Sequence, residues 1–478
     1  MSLTERLLVP SRSRFLVHAV FAVLIPVALA AQDSTRAAVG PGGLSEPNAD
    51  PFPSTYRAAP SRLTAIRNAT VMTAAGSTIR GGTVVLRDGK ILAVGANVTI
   101  PDGAVVVDGT GKFVTPGIID SHSHLGVYPS PGVESVQDGN EMVNPSTPYV
   151  WAEHSVWPQD PQFPRALASG VTTMQILPGS GNLIGGRSVV LKSVPSVSVR
   201  GMKFPGAKYG LKQACGENPK RVYAARGPMT RMGNVAGWRA QYVQAEAYRR
   251  RWDKWLADRK GDPPARDLGL ETLADVLRGN ILVQWHCYTA HDMEGAMEVA
   301  DEFGFRIRSF HHGVEAYKIA DVLAQKGISA SLWSDWGGFK MEAIDGVRAN
   351  LALVHNAGAR AIVHSDDASG MQRLNQDVAK SLSEARTLGI NISEEDAIKW
   401  ITINPAWALG LDDRIGSIEV GKNADVVLWD KHPFSVYARA EKVWIDGAMM
   451  FDRLDPTQRW RTDFELGWVP EPAGGRER

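Results

Sequence analysis

A pair of histidines follows a short apolar run in the first third of the chain. The segment 114–124 reads VTPGIIDSHSH and ends in His122 and His124. Because alternate side chains of an extended segment point to the same side, the two imidazoles can reach one ion together. Imidazole nitrogen suits zinc and neighbouring transition metals as a ligand. The pattern therefore predicts a metal site at the end of a strand.

Three later segments of the same kind end in further ligand candidates. Each of His286, His312 and Asp366 directly follows a short run that is rich in apolar residues. The chain has only 11 histidines, and histidines placed only for packing would not favour such positions. His311 is the alternative to His312, and Asp367 is the alternative to Asp366. Structural or supporting roles are expected for three other histidines: His291, His355 and His364.

The elements that position these side chains are predicted by hydrophobic periodicity. From residue 114 to about residue 410, short apolar runs alternate with stretches whose apolar positions recur three and four residues apart. The runs are typical of buried strands, and the stretches are typical of helices with one buried face. This alternation over ~300 residues predicts a parallel (β/α)8 barrel. Barrel enzymes hold their sites at the carboxyl ends of the strands, where the candidate ligands are expected to meet.

Both ends of the mature chain are predicted to be β structure. Residues 61–113 contain short β-rich runs that are separated by turn signals such as Asp88-Gly89, and residues 411–455 have the same texture. Two β-rich ends around one long middle indicate a single discontinuous domain. The predicted fold class is therefore α/β: a TIM barrel over residues 114–410 and a small β-sandwich formed from both chain ends.

The first 60 residues predict export followed by a connection. Residues 1–30 combine basic residues, an apolar run that is short for a membrane span and a small-residue cleavage site, as in a signal peptide. Residues 31–60 are rich in Pro, Gly, Ser and Ala and are predicted to be a linker. Residues 456–478 are assigned to a C-terminal tail. The expected location is periplasmic or secreted.

The overall composition argues against several other classes of protein. The formal net charge of +1 gives no reason to expect a nucleic acid or an anionic membrane as partner. No second apolar stretch is long enough to span a bilayer, so we expect no stable membrane span in the mature protein. Cys215 and Cys287 allow one disulfide at most, and we expect two thiols packed among apolar neighbours. A small molecule or a short peptide is the expected substrate, and a homo-oligomer is compatible with the sequence.

Residues 230–260 are predicted to be a helical insertion that carries a basic face. Its aromatic stripe recurs at spacings of three and four residues, and we expect the stripe to pack on the barrel, with a lid or a partner surface as the alternative. Arg187 and Arg226 are candidates to bind a substrate carboxylate, with internal salt bridges as the alternative. The stripe consists of Trp238, Tyr242, Ala245, Tyr248, Trp252 and Trp255.

Four segments together resemble one enzyme family. They are VTPGIIDSHSHLG from Val114, HGVEAYKIAD from His312, HSDD from His364 and GSIEVGKNADVVLWD from Gly416. The chain resembles the amidohydrolase superfamily, in its imidazolonepropionase-like branch, over residues 63–451. The resemblance implies a (β/α)8 barrel joined to a β-sandwich that is made from both chain ends.

The resemblance also implies roles for the candidate ligands. It implies that His122 and His124 hold the more buried metal and that His286 and His312 hold a second one. Asp366 would be a ligand of the first metal and the general base. Zinc is the default ion, with one or two per chain.

A binuclear member of this superfamily has a carboxylate that bridges the two ions. The bridge is either a carboxylated lysine or a glutamate. We favour Glu217, which lies in a segment that reads CGENPKR, and Lys192 is the alternative. If neither residue bridges, the site holds one ion.

The expected function is hydrolysis of amide, peptide or cyclic-amide bonds by a metal-activated hydroxide. The alternative is a deaminase or ring-opening hydrolase of a heterocycle with a single metal. A non-catalytic binding protein on the same scaffold is the third hypothesis, because fold does not imply function. Against it, all five implied histidine and aspartate ligands are present in the chain.

Overall fold

The architecture is described from a computed structural model, which describes residues 45–456. The predicted signal peptide (residues 1–30), the first part of the predicted linker and nearly all of the predicted C-terminal tail lie outside the described residues. The strands, in chain order, are β1 (Thr64–Val71), β2 (Ile79–Arg87), β3 (Lys90–Gly95), β4 (Val105–Asp108), β5 (Phe113–Pro116), β6 (Ile118–Ser123), β7 (Val171–Ile176), β8 (Ile184–Lys192), β9 (Gly210–Ala214), β10 (Leu282–Cys287), β11 (Ile307–His312), β12 (Ser329–Leu332), β13 (Ala361–Val363), β14 (Val426–Trp429), β15 (Ala440–Ile445) and β16 (Ala448–Asp452).

Helices cover much of the chain between the barrel strands. They are α1 (Gln162–Ala168), α2 (Val199–Met202), α3 (Glu217–Val222), α4 (Arg231–Asp258), α5 (Leu268–Leu277), α6 (Ala290–Phe303), α7 (Ala320–Lys326), α8 (Asn350–Asn356), α9 (Leu374–Thr387), α10 (Glu394–Ala397) and α11 (Ile403–Ala408). Short 3-10 turns lie between several of them, and one, Met341–Ala343, belongs to the loop after β12.

Eight strands from the middle of the chain form a nearly closed barrel sheet. They pair in chain order from β6 to β13. Strands β9 to β13 run parallel, as does the pair β6–β7. The fold class is therefore confirmed as mixed α/β with an eight-stranded barrel sheet.

One strand of the barrel departs from the expected parallel arrangement. Strand β8 runs antiparallel to both β7 and β9. The physical reason is the connection from Ile176 to Ile184, which is too short for the crossover that a parallel pair requires. Strand β8 is buried along its whole length, although it contains the polar residues Arg187, Ser188 and Lys192.

The two β-rich ends of the chain combine into one further sheet. Its order is β16-β15-β14-β5-β1-β2-β3, with β4 paired to β1. The join between the two ends is the antiparallel pair β5–β14, in which Thr115 lies opposite Val427. This sheet, built from both ends as predicted, continues directly into β6 and thereby fixes the start of the first barrel strand.

The helix α4 carries the aromatic stripe that the sequence predicted. Trp238, Tyr242, Ala245, Tyr248 and Trp252 are all buried. Trp238 meets Trp285 of β10 edge to face, with the ring centroids 4.8 Å apart. The stripe therefore packs on the barrel rather than facing a partner. No helix within residues 45–456 has the length and apolar character that a membrane crossing requires.

The two cysteines differ from the expectation of separate thiols. Cys215 directly follows β9, Cys287 ends β10, and the two side chains form a disulfide. Because β9 and β10 are paired in register, their ends lie side by side, and the two Cα atoms are 5.3 Å apart. The bridge ties together the ends of two strands at the mouth of the barrel.

The end of the predicted linker is attached to the folded body. Lys203 Nζ is 2.8 Å from Asp50 Oδ1, and the Tyr56 hydroxyl donates to Asp446 at 2.6 Å. Arg187, a candidate for substrate binding, belongs to this region: its side chain is buried and donates to Thr272 Oγ1 and to the Ala49 carbonyl. The Arg187 guanidinium therefore makes internal hydrogen bonds that hold the chain near Ala49.

Candidate metal centre

Two histidines at the end of the first barrel strand form the base of the site. His122 lies within β6 and is buried, and His124 lies one residue beyond the strand. Their Nε2 atoms are 3.3 Å apart. The strand alternation thus brings two imidazole nitrogens to one point, as the sequence predicted.

Asp366 brings a carboxylate to the same point from the far end of the sheet. Its Oδ1 lies 3.1 Å from His122 Nε2 and 3.2 Å from His124 Nε2. Its backbone N–H donates to the His122 carbonyl at 3.0 Å, which fixes the segment after β13 beside β6. His122, His124 and Asp366 thereby form a group whose ligand atoms all lie within 4.8 Å of one another.

A second group of imidazoles adjoins the first. His122, His312 and His364 also place ligand atoms within 4.8 Å of one another. His286 packs edge-on against His312, with the ring centroids 4.5 Å apart. His312 and Asp366 both adopt a positive φ, 71° and 66°, which non-glycine residues adopt only where the surroundings hold them.

The buried nitrogens of these rings fit a bound metal ion. Both ring nitrogens of His286, and Nδ1 of His312, are buried without a hydrogen-bond partner among the described residues. A buried polar atom without a partner is costly, so such atoms call for a ligand. Burial also lowers the pKa of His122, His286 and His312 well below the usual range, and neutral imidazole is the form that binds metals.

A chain of hydrogen bonds selects the tautomer of His122 that binds a metal. Gln284 donates its Nε2 to the Ala408 carbonyl, so its Oε1 faces His311 Nε2 at 2.7 Å and that nitrogen carries the proton. His311 Nδ1 is then an acceptor for His122 Nδ1 at 3.0 Å. The Nε2 lone pair of His122 is left facing Asp366. His311 therefore supports a ligand rather than serving as one.

His124 is fixed in the same way by a backbone carbonyl. Its Nδ1 lies 2.8 Å from the Leu177 carbonyl oxygen, which can only accept. The proton must therefore lie on Nδ1, and Nε2 is free to bind an ion. These partners could not be read from the sequence, because they depend on which strands are neighbours.

Lys212 is a site residue that sequence reasoning missed. It lies in the middle of β9, is fully buried and places Nζ 3.3 Å from His122 Nε2. Burial lowers the pKa of its ammonium group to about 8. A signal was present in the sequence, since a lysine inside the short run YGLKQA on a buried strand is costly without a specific role.

The two residues that the sequence offered as a metal bridge lie elsewhere. Glu217 begins α3 and lies 3.3 Å from Lys340 Nζ, outside both groups of metal-ligand atoms. Lys192 ends β8 and pairs with Asp446 at 3.0 Å and with Asp425 at 3.4 Å. The lysine that does lie beside His122 is Lys212, with its Nζ 3.3 Å from His122 Nε2.

Several other candidates have local partners away from the metal groups. Asp367 Oδ1 accepts from the N–H groups of Ser369 and Gly370, so this carboxylate stabilises a turn. His355 accepts a hydrogen bond from Trp400. Arg226 donates to the carbonyls of residues 142 and 143 at the protein surface.

Asp120 supports the site from beneath. It is buried and accepts hydrogen bonds from the His122 and Ser365 backbones and from the Ser365 hydroxyl. Burial raises its pKa to about 7, and these hydrogen bonds oppose the rise. By contrast, burial alone would raise the pKa of Asp366, but positive charge at the site, which His312 and His124 carry when they are protonated, outweighs burial and holds that pKa well below its usual range. Asp366 is therefore an ionised carboxylate beside two imidazoles.

Comparison with known proteins assigns this centre to a family. The sequence profile of the amidohydrolase family matches residues 113–456, which hold every residue of the two metal-ligand groups. The chain belongs to the amidohydrolase family. The resemblance on which the sequence-based expectation rested is thereby confirmed.

Individual relatives place this amidohydrolase more closely. The protein named amidohydrolase tasK, from Hapsidospora irregularis, is 34% identical over 377 residues, which are 74% of this chain but only 38% of that protein. An imidazolonepropionase from Geobacillus sp. (strain WCH70) is 26% identical over 410 residues, covering 74% of this chain and 84% of the relative. The crystal structure of an amidohydrolase from Thermotoga maritima MSB8 has 38% identity and a TM-score of 0.75, covering 82% of this chain and all of the other.

These similarities agree with the chemistry of the donor set. The chain is an amidohydrolase, and its similarity to an imidazolonepropionase agrees with the branch that the sequence resembles. Neutral imidazoles and one ionised carboxylate at the carboxyl ends of barrel strands are what such an enzyme needs to hold a divalent ion.

Proposed function

We propose that this amidohydrolase hydrolyses amide, peptide or cyclic-amide bonds at a centre that binds two divalent ions. The observation that carries the proposal is the convergence of His122, His124 and Asp366 within 4.8 Å beside buried, unpartnered imidazole nitrogens. His122, His124 and Asp366 would hold one ion, and His286 and His312 would hold the second. Zinc is the ion we propose, because it accepts imidazole and carboxylate ligands together.

The ions, when bound, supply Lewis-acid activation of water and of the scissile carbonyl group. The protein supplies the proton transfers. Asp366 is ionised, so it accepts a proton from the attacking water and later returns that proton to the leaving nitrogen. The water oxygen becomes bonded to the carbonyl carbon, the carbon–nitrogen bond breaks, and an amine and a carboxylate leave the site.

We propose Lys212 as the residue that supplies the bridging carboxylate. Its neutral amine can add carbon dioxide to give a carbamate with release of one proton. The burial of Lys212 and its position 3.3 Å from His122 Nε2 support this role. Glu217 is less suited to it because its carboxylate already pairs with Lys340.

A second candidate function is deamination or ring opening of a heterocycle with one ion. It is favoured by a specific observation: His122, His124 and Asp366 alone supply three donors to a single point. A site with one ion does not need Lys212 as a bridge. The number of ions per chain therefore distinguishes the two candidates.

The decisive experiment measures metal content by plasma mass spectrometry on the purified protein. We expect about two zinc ions per chain in the wild type, and a clear loss in Lys212→Met. Glu217→Gln is the matched control and should leave the content unchanged. About one ion per chain in the wild type and in both variants would favour the second candidate function, which needs a single ion. Turnover of a panel of dipeptides and cyclic amides by the metal-loaded wild type then tests the substrate class.

We also propose that the mature protein is exported. The basic residues and the apolar run of residues 1–30 support this location. Amino-terminal sequencing of the protein from a periplasmic extract should show a chain that starts near residue 31. A full-length chain that remains in the cytoplasm would contradict export without touching the catalytic proposal.

A further inference from the structure

A tyrosine lies beside the metal ligands without a role in holding them. Tyr128 follows β6 by five residues, and its ring meets the His124 ring edge to face with the centroids 5.4 Å apart. A tyrosine hydroxyl keeps its proton at neutral pH, because its ordinary pKa is about 10.

The hydrogen bonds of Asn140 determine the direction of the hydroxyl proton. The Gly181 N–H donates to Asn140 Oδ1 at 3.0 Å, which fixes the orientation of the amide. Asn140 Nδ2 must therefore face Tyr128, and because an amide nitrogen only donates, the phenol oxygen accepts. Within residues 45–456 the Tyr128 hydroxyl has no other hydrogen-bond partner, so its own proton is free to be donated.

Close packing holds this tyrosine in place. A Cβ at Gly139 would lie 2.0 Å from Tyr128 Cζ, and a Cβ at Gly179 would lie 2.2 Å from Asn140 Nδ2 and 2.6 Å from the phenol oxygen. The two glycines themselves are joined by a hydrogen bond of 2.7 Å from Gly179 N to the Gly139 carbonyl. The backbone at Gly139 and Gly179 thus lies so close to Tyr128 and Asn140 that no larger residue would fit at either glycine.

The same turn also holds a metal ligand. Leu177, whose carbonyl accepts from His124 Nδ1, lies two residues before Gly179. The phenol and the imidazole of His124 are therefore fixed by one short segment at the end of β7. A preorganised donor beside the ions is what an oxygen needs when it gains negative charge during the reaction.

We propose that Tyr128 is a catalytic residue whose hydroxyl donates a hydrogen bond to the scissile carbonyl oxygen of the substrate as that oxygen becomes an oxyanion. Asn140 is a positioning residue, because it directs the phenol proton toward the substrate and does not itself touch the substrate. The proposal rests on the proposed hydrolase function. It adds a donor from the protein to the activation that the ions supply.

The test uses methylphosphonate, a tetrahedral anion that resembles the charged intermediate, and isothermal titration calorimetry on the zinc-loaded full chain. Tyr128→Phe should bind methylphosphonate about 10-fold more weakly than the wild type, since one hydrogen bond to a charged oxygen is lost. Tyr149→Phe, which removes an exposed hydroxyl from the same loop, is the matched control and should bind as the wild type does. Metal content must be equal in all three proteins.

The variant Asn140→Asp tests whether Asn140 orients the hydroxyl proton of Tyr128 or only packs against its ring. A carboxylate at this position accepts from the phenol, so the proton turns away from the substrate and binding should weaken as in Tyr128→Phe. In a Tyr128→Phe background the same change should have little further effect, because Asn140 acts through Tyr128. A full additional loss in the double variant would show that the new charge alone repels the anion, and would overturn the positioning role.

Turnover gives an independent reading once the panel has supplied a substrate. Tyr128→Phe should lower kcat by about 10²–10³-fold with little change in KM, which is the effect of removing one oxyanion donor. Wild-type affinity for methylphosphonate in Tyr128→Phe would overturn the proposal. If the metal-loaded wild type hydrolyses no amide or cyclic amide, the proposed function fails instead, and the methylphosphonate comparison still decides whether Tyr128 is a donor.

Discussion

At the scale of single residues, two aspartates that are adjacent in the sequence have entirely different contacts. Asp366 contacts the imidazoles of His122 and His124, whereas Asp367 accepts hydrogen bonds from its own turn. The two side chains belong to adjacent positions in the chain and differ completely in what they contact. Any chemistry assigned to one of them is therefore testable against the other.

We expect Asp366→Asn to lower kcat by about 10³-fold, because an amide cannot accept the proton from water. Steady-state kinetics on the best substrate of the panel would measure the loss. Asp367→Asn should keep kcat within a few-fold of the wild type, since an amide oxygen can still accept the turn's hydrogen bonds. Equal losses in the two variants would contradict the role assigned to Asp366.

The ligand histidines could be placed together from the sequence, whereas Lys212 could be flagged as an unusual lysine but not placed beside them. His122 and His124 are two residues apart on a strand, so alternation alone brought them together. Lys212 and Gln284 reach the site only because β9, β10 and β11 are neighbours in the sheet. Glu217 was favoured as a bridge from a resemblance of short segments, and such a segment does not say where its side chain points.

At the scale of elements, α4 supports the barrel strand that carries a ligand. Its stripe reaches β10 through the contact of Trp238 with Trp285, the residue directly before His286. The Trp238 indole also donates to the Leu183 carbonyl at 3.3 Å. The insertion is therefore part of the wall that holds the site in shape.

We expect Trp238→Ala to lower the free energy of unfolding by ~3–5 kcal/mol, because it removes a large buried aromatic side chain. Urea denaturation followed by circular dichroism would measure it. Val243→Ala is the matched control on the same helix, since its side chain is exposed and should cost little. Similar midpoints for Trp238→Ala and the wild type would show that the stripe does not stabilise the barrel.

The reversal of β8 shows the limit of reading elements from patterns. Strand β8 is buried along its whole length but contains Arg187, Ser188 and Lys192, so hydrophobic periodicity neither singles out this strand nor gives its direction. Only the short connection from β7 carries the information, and it becomes visible once the strand bounds are known. The pairing of Cys215 with Cys287 depends in the same way on which strands are adjacent.

At the scale of the whole molecule, one buried lysine links the barrel to the sheet made from both chain ends. Lys192 ends β8, and its Nζ lies between Asp425, just before β14, and Asp446, just after β15. Burial raises the pKa of Asp425, and the charge of Lys192 opposes that rise. The ion pair thus ties two parts of the chain that lie more than 200 residues apart.

We expect Lys192→Met to lower the free energy of unfolding by ~3–5 kcal/mol, because two buried carboxylates lose their counter-charge. The metal content should not change, which separates this lysine from Lys212. Lys326→Met breaks an ion pair at the surface and should cost less than ~1 kcal/mol. Loss of metal from Lys192→Met would indicate that this lysine does act at the metal centre.

The barrel has a seam, because β6 and β13 begin and end its sheet without a strand ladder between them in the described chain. Near the site, the two sides of this seam are joined by hydrogen bonds from the segment after β13 to Asp120 and His122. His122 and His124 lie on one side of the seam and Asp366 lies on the other. An ion bound by all three residues would therefore link β6 to the segment after β13 and close the barrel at this point.

Chelation should then do more than stop catalysis. We expect removal of the metal with a strong chelator to lower Tm and to speed hydrogen exchange first in β6 and β13, since ligand binding stabilises only the closed form. Exchange measured by mass spectrometry, with β8, which carries no proposed ligand, as the internal reference, would show the order. Equal acceleration in all three strands would mean that the ion stabilises the whole barrel equally. The metal ligands would then have no particular role in holding β6 and β13 together.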